Sequence, residues 1–541
     1  MLSVLYIVNE SSLGGAAQSL LDMLKGVVKK NIKPVVVIPR KGIIEDELKK
    51  MEIPYYIIGF SNGYGKVGVG TQIDEDRNFL DNFEGAVQLQ EIIKRERIQL
   101  IHINSSVSNI GAFAAIMADI PYIWHFRELL EEDFGCEFWD IKLKKQLIKY
   151  ADEIITISDF VRKNIGEKYG ITSVRVYDGL DIERYKNELS PSFMDKKGNG
   201  FLIVGNITEN KGQWDAIHAA RVLIGEGWND FRLTIVGNGS ARFLWMLKKI
   251  ISFYELDTYI KIVPFQNDLS QFRQENQYAI TTSKMEALGR GTIEAMLAGN
   301  VVIGADTGGT LEIIGESEER GFLYKQGDYV DLAKVMKKVI LEDNSKKNEC
   351  IHLAQDYAIT TFDIDKYADE MAEIYNKVIF EYSVGDNKEK EYFLNSLKGR
   401  YSELNKINAI KKVIKEDKNR NGRYILIYAK WEEIRRAGYN ISKYFTDRKV
   451  SSIAIYGMGN LGCRLFNELE KSQINIKYVV DRDICYLSEF IEVRTPDESL
   501  DNVDMLIVAV AKEENEIISY YRKRCKLCVI GLSEILESFY I

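Results

Sequence analysis

Short apolar runs alternating with longer amphipathic ones constrain this chain more than any other feature. In the first third, Val4–Val8, Pro34–Ile38, Tyr55–Ile58, Leu100–Ile103, Tyr122–Trp124, Glu153–Ile157 and Val174–Tyr177 read as strands, with helical patterns such as Ala16–Val28 and Lys142–Tyr150 between most of them. Alternation at this spacing predicts a parallel, doubly wound sheet. A second series follows in Phe201–Val204, Leu233–Val236, Ile260–Val263, Tyr278–Thr281 and Val301–Ile303. The polar, Gly- and Ser-bearing segment Ser190–Gly200 between the two series reads as a linker. Two such sheets joined once leave a cleft at the carboxyl ends of their strands, where open α/β sheets bind ligands.

Beyond the second series, Phe362–Phe380 has a helical pattern, 384–447 is polar, basic and mostly helical, and a third β/α unit starts at Ser452. The expected organisation is α/β throughout: domains over 1–190 and 191–383, a basic helical linker over 384–449, and a small module over 450–541. A chain of 541 residues is too long for one core, and 46% hydrophobic with 28% charged residues is a soluble, globular balance.

No run of 18 apolar residues occurs, so no spanning helix is expected. The N-terminal MLSVLYIVNESSLGG lacks a basic n-region and a cleavage site and reads as a first strand. Cys136, Cys350, Cys463, Cys485, Cys525 and Cys528 are scattered, which suggests reduced thiols and a cytoplasmic home. The lone pair Cys525-Lys-Leu-Cys528 lacks the second pair or histidines that a metal site needs, and Cys528 is expected to point into a strand.

A net charge of -8 argues against nucleic acid as a partner, but the charge is uneven. Residues 388–449 carry 17 Lys/Arg against 8 Asp/Glu. With a second basic patch at Lys142, Lys144, Lys145 and Lys149, this predicts peripheral contact with an anionic membrane at its inner face.

The strongest local motif runs from Ser283 through Glu286, Gly289 and Glu294 to Gly299. It reads as a strand end, a loop holding Glu286, and a helix. The glycines permit a tight turn, and the unpaired amides at the helix start suit an anionic phosphate. The two carboxylates would then accept hydrogen bonds from sugar or ribose hydroxyls. Taken alone, the segment also reads as a capped surface helix with a solvated Glu.

Glu286 and Glu294, with seven residues between them, resemble the paired-glutamate signature of GT-B glycosyltransferases, family four in particular. Further elements resemble that family in order: Ala151-Asp152 to Ser158; Tyr177-Asp178-Gly179-Leu-Asp181; Val204-Gly205-Asn206 to Lys211-Gly212; and Gly308-Gly309-Thr-Leu-Glu312. The resemblance covers roughly residues 1–383. It implies two Rossmann-like domains facing a cleft, a nucleotide-diphosphate sugar donor (UDP- or GDP-linked), retention at the anomeric carbon, no required cofactor, and a sugar or lipid-linked sugar acceptor, as in cell-surface polysaccharide or glycolipid assembly.

By the same resemblance, Lys211 and the amides around Gly289 meet the donor diphosphate, Glu286 the donor sugar and Glu294 the ribose, while His125 positions sugar or acceptor. Gly14, Gly15, Gly205, Asn206, Ala287, Leu288 and Arg290 complete the donor site. Two positions depart from the family: Asn206 stands where an Arg is usual, which leaves Lys211 or Arg290 to carry the charge, and Asp178 stands where Asn is frequent. Asp178 would repel a diphosphate unless it pointed away or contacted a hydroxyl.

His102 also ends a strand and reads as structural. The glycine-rich Gly59–Gly70 reads as a loop above the cleft, too flexible for a sheet, meeting the acceptor. No metal-ligand spacing is visible, and Asp74-Glu-Asp76 reads as a solvated polar loop.

The third unit opens with Gly457, Gly459 and Gly462 in G-x-G-x-x-G spacing after a strand, and Asp481 ends the next strand. This is the dinucleotide fingerprint with its ribose acid, on half a dinucleotide fold. The expectation is therefore a module binding another nucleotide or nothing, ahead of NAD(P). Two other functions share these features: a hydrolysing nucleotide-sugar epimerase of the same fold, and a non-catalytic nucleotide-sugar binding protein.

Overall fold

In a computed structural model of the chain, residues 1–185, 198–384, 388–416, 422–482 and 491–539 are described. Most of the segment expected as a linker before Gly200 lies outside them, as do the 190/191 boundary and Cys485. The chain divides into two units, Met1–Asn395 and Ser396 onward.

The first unit holds both long series of strands. Its first sheet has seven strands in the order Tyr55–Ile57, Ile32–Ile38, Leu2–Ile7, Leu100–Ile103, Tyr122–Phe126, Glu153–Thr156 and Val174–Arg175. Its second has six: Ile260–Val263, Arg232–Val236, Gly200–Val204, Tyr278–Thr281, Val301–Ala305 and Phe322–Tyr324. All pairings within both sheets are parallel. In each, strand order reverses beside the first strand, so the crevices open after Ile7 and Ile103 in one and after Val204 and Thr281 in the other.

Each sheet has its own core. The helix Ile364–Val384 follows the second sheet yet packs on the first: Tyr367, Ala368, Met371, Tyr375 and Val378 join the core around Tyr6 and Leu24. It lies along the helix Gly15–Val28, and a Cβ at Gly26 would stand 2.7 Å from that of Ala368.

Two local expectations are corrected. Within Gly59–Gly70, Tyr64–Lys66 is a strand, paired antiparallel to Cys136–Phe138. Two of its glycines admit a bulky neighbour, since a Cβ at Gly65 would meet Trp139 Nε1 at 2.5 Å and one at Gly70 would meet Trp139 Cδ1 at 2.6 Å. Asp74 is in the first turn of the helix Gln72–Glu96, closing a capping box with Thr71.

The second unit carries a five-stranded parallel sheet: Glu492–Arg494, Asn475–Val480, Ser452–Tyr456, Met505–Val508 and Cys528–Gly531. Trp431, Ile434, Ile441 and Phe445, from the stretch read as a linker, are buried in its core. Cys528 opens the last strand but is exposed, not turned inward.

Candidate active site

The second crevice carries the paired-glutamate motif. The strand Tyr278–Thr281 ends, the chain turns through Glu286, and the helix Arg290–Leu297 starts behind Gly289, whose φ of +95° is a glycine conformation. The turn is fixed from two sides. Gly309 N donates to Glu286 O at 2.7 Å, the Gly309 backbone lies against buried Leu288, and Ser158 Oγ reaches from the first sheet to Ala287 O at 2.5 Å. The amides at the start of this helix are therefore pre-set beside the turn, which is what an anion site needs.

Lys211 comes from the loop after the neighbouring strand Gly200–Val204. Its carbonyl accepts from Thr282 Oγ1 at 2.7 Å, and its Nζ lies 2.5 Å from Glu286 Oε1, which also accepts from Ser283 Oγ at 2.6 Å. Gly205 adjoins open space, and Asn206 is exposed with its carbonyl held by Gln213. Glu294 Oε2 accepts from Arg273 at 2.6 Å.

Across the cleft, Gly14 and Gly15 begin the helix Gly15–Val28, and a Cβ at Gly15 would meet nothing within 4 Å. His125 and His102 end adjacent strands and are fully buried. His125 Nδ1 is 3.3 Å from His102 Nε2, and His102 Nδ1 is 2.9 Å from Tyr375 OH. Burial, with the Arg127 charge beside them, holds both imidazoles well below their ordinary range, so they are neutral. His125 Nε2 is buried without a hydrogen-bond partner.

The second departure from the family pattern, Asp178, finds a place. Asp178 is 3% exposed, pairs with Arg127 NH1 and accepts from Ser19 Oγ at 2.8 Å. Arg127 also donates to Asn104 at 2.9 Å and to Tyr367 at 3.1 Å. Asp178 therefore completes a buried network and does not stand as a free charge. Arg290 spans the cleft: it donates to Ser19 Oγ at 3.0 Å and Asp22 Oδ2 at 2.9 Å, so its charge is engaged by the first sheet's helix. Glu312 likewise crosses over and accepts from the amides of Asp159 and Phe160, both at 2.9 Å.

The expected basic patch loses one member, because Lys144 is 1% exposed and donates to Ser106 O and Asn109 Oδ1 between the Trp124 and Phe138 rings. Sequence reasoning missed Asp133. It sits on the short helix Leu130–Phe134, where burial, with Glu286 adding repulsion, pushes its carboxyl up to about 7. Its backbone carbonyl accepts from Asn210, beside Lys211, at 2.6 Å. The acidic run Glu131-Glu132-Asp133 was the only local sign of it.

In the second unit, the helix Asn460–Leu469 starts behind Gly459, and a Cβ at Gly462 would meet Gly457 O at 1.9 Å. Asp481, the expected ribose acid, accepts from Met458 N at 2.6 Å and so clasps the glycine loop itself.

Comparison with known proteins agrees with this geometry. Residues 13–184 match the family model described as Glycosyltransferase Family 4, and residues 186–356 that described as Glycosyl transferases group 1. The capsular polysaccharide biosynthesis glycosyltransferase CapH of Staphylococcus aureus is 21% identical over 394 residues, 69% of this chain and 99% of CapH. An uncharacterised glycosyltransferase of Haemophilus influenzae is 23% identical over 260 residues, 47% of this chain and 70% of that protein. Among solved structures, HepE of Anabaena in complex with UDP and glucose superposes with a TM-score of 0.58 at 21% identity, over 70% of this chain and all of HepE. The two family models run in order across most of the first unit, both of its sheets have the doubly wound order, and the chain belongs to the group 1 glycosyltransferases of the GT-B fold.

Proposed function

We propose that this glycosyltransferase moves a sugar from a nucleoside-diphosphate sugar to a hydroxyl acceptor with retention and without a metal. The observation that carries the reading is the Lys211–Glu286 contact beside the pre-set amides at Gly289, at the crevice where strand order reverses. A cation and a helix start at one point neutralise a departing diphosphate where charge develops, which is where fixed electrostatics lower a barrier most. The anomeric C1–O bond to the nucleoside diphosphate breaks as the acceptor hydroxyl bonds to C1 on the same face, and the hydroxyl's proton passes to the departing phosphate oxygen. Glu286 holds the donor sugar, Glu294 the ribose, and the free Nε2 of neutral His125 accepts from or donates to a sugar hydroxyl, according to its tautomer.

CapH and HepE support the context and the donor class: the first is named for capsular polysaccharide biosynthesis, and the second was solved with UDP and glucose. The acceptor is a hydroxyl of a sugar or a lipid-linked sugar. Among the described residues no helix is long and apolar enough to cross a membrane, and the excess positive charge over 388–449 favours peripheral contact with an anionic surface. The test is a panel of UDP- and GDP-sugars, scored for release of nucleoside diphosphate and, with an acceptor, for the anomeric configuration of the product by NMR. Inversion, or release of sugar from every donor with no transfer to any acceptor, overturns the reading.

A further inference from the structure

Arg273 lies on the short helix Ser270–Glu275, before the strand Tyr278–Thr281. It is 6% exposed, unusual for an arginine, and its NH2 donates to Glu294 Oε2 at 2.6 Å. Its backbone is held as firmly: Asn300, 1% exposed, donates through Nδ2 to the carbonyls of Arg273 and Asn276 at 3.0 and 2.6 Å. The Tyr185 ring lies 5.4 Å from the guanidinium. The other oxygen of Glu294, Oε1, is 3.8 Å from Arg290 Nε, beyond hydrogen-bond reach, and Arg290 is itself engaged by Asp22 and Ser19.

One oxygen of Glu294 is thus pinned by a buried cation, while the other keeps its hydrogen-bonding capacity. We propose that Arg273 is a positioning residue that fixes the Glu294 carboxylate so that Oε1 accepts from the ribose hydroxyls of the nucleotide, which makes the site select ribonucleotides. This rests on the assignment of Glu294 to the ribose.

Two consequences separate this role from simple support. A pinned carboxylate loses little rotamer freedom on binding, so its bond to the ribose is formed at small entropic cost. Arg273 also offsets a negative charge close to where the diphosphate docks. Removing it should therefore weaken ribonucleotide binding and, in addition, erase discrimination against nucleotides that lack the 2′- and 3′-hydroxyls.

The test is calorimetric binding of UDP and GDP, each beside its 2′,3′-dideoxy analogue, to the full chain and to Arg273→Met, Arg273→Lys, Glu294→Ala and the Arg273→Met/Glu294→Ala double variant. The full chain should prefer the ribonucleotide about tenfold or more, as expected for hydrogen bonds to a charged group. Glu294→Ala should bring that ratio near unity. Arg273→Met should bring it most of the way there, the double variant should fall no further than Glu294→Ala, and Arg273→Lys should restore part of it. If Arg273→Met does not fold, Arg273→Lys carries the test with at least a threefold loss of the ratio. A folded Arg273→Met protein with the full ratio, or an Arg273→Lys protein with the full ratio where Arg273→Met does not fold, overturns the positioning role. Equal binding of ribo- and dideoxynucleotides by the unaltered chain instead overturns the assignment of Glu294 to the ribose, and failure to bind either nucleotide overturns the proposed donor class.

Discussion

Lys211 Nζ and Glu286 Oε1 lie 2.5 Å apart, so the cation assigned to the diphosphate and the carboxylate assigned to the sugar neutralise each other before a donor arrives. Donor binding must redistribute that contact, and the two residues act as a unit. Lys211→Ala and Glu286→Gln should each lower transfer about 10²–10³-fold, the scale for one preorganised electrostatic contact, and the double variant should lose far less than the product of the two. Steady-state rates of the three variants check this. Near-unaltered rates in both single variants would remove the pair from the site.

Transfer should persist in EDTA, because in the proposed site Lys211 and the amides behind Gly289 would supply the positive charge that a divalent ion gives other transferases. Assay with EDTA, then with added Mg²⁺ or Mn²⁺, decides it. Abolition by the chelator with recovery on adding either ion is the contrary outcome.

Asp178 and Arg127 form a buried ion pair, each below a tenth exposed. Asp178→Asn keeps the shape but leaves Arg127 without its counter-charge, at a cost of about 3–5 kcal/mol. Adding Arg127→Met should recover part of that loss, because it removes the stranded charge. Denaturant unfolding of both variants measures it.

The Asp133 carboxyl, pushed up to about 7 chiefly by burial, sets a pH dependence opposite to that of most carboxylates. The folded protein holds this proton more tightly than the unfolded chain, in which an Asp titrates near 4. Stability from this group is therefore full below about 4, falls as pH rises towards 7, and levels off above that. Asp133→Asn accepts the same bond from Leu129 N without the charge. Its melting temperature should exceed that of the unaltered protein at pH 8 and converge with it near pH 4. A constant difference across that range would contradict the titration.

A chain ending at Asn395 should retain donor turnover. The first unit closes there, and a cut at 383 would remove Lys390, which donates to Asp152 at 2.8 Å, and Phe393, whose ring is 5.0 Å from that of Tyr150. The shortened chain should bind anionic liposomes less well than the full one at low salt, with the difference shrinking as salt rises. Flotation with phosphatidylglycerol vesicles compares them. Equal binding would remove the membrane role from the basic stretch.

The sheets were legible because period and spacing are local properties, and the motif at Glu286 and Glu294 because its residues are near in sequence. What escaped was set by distant partners. Glycine density in Gly59–Gly70 suggested freedom, but Trp139 fills the space that Gly65 and Gly70 leave. Lys144 looked like part of a basic surface patch, yet Trp124 and Asn109 enclose it. Asp178 looked like a mismatch until Arg127 stood opposite it. Arg273 carries no local sign at all, since its importance comes from Glu294, 21 residues away.

The return of Ile364–Val384 to the first sheet bears on how the protein is made. A ribosome that has released Val174–Arg175 has delivered every strand of that sheet, yet the core still lacks Tyr367, Met371, Tyr375 and Val378. The second core is complete at Ile351. Order of synthesis and order of completion are thus reversed: the later sheet closes first, and the earlier one keeps an apolar groove along Gly15–Val28 until the helix Ile364–Val384 emerges. A nascent chain arrested between those points exposes that groove to chaperones, and a gene cut at the boundary of the first sheet yields a half-domain that cannot bury it.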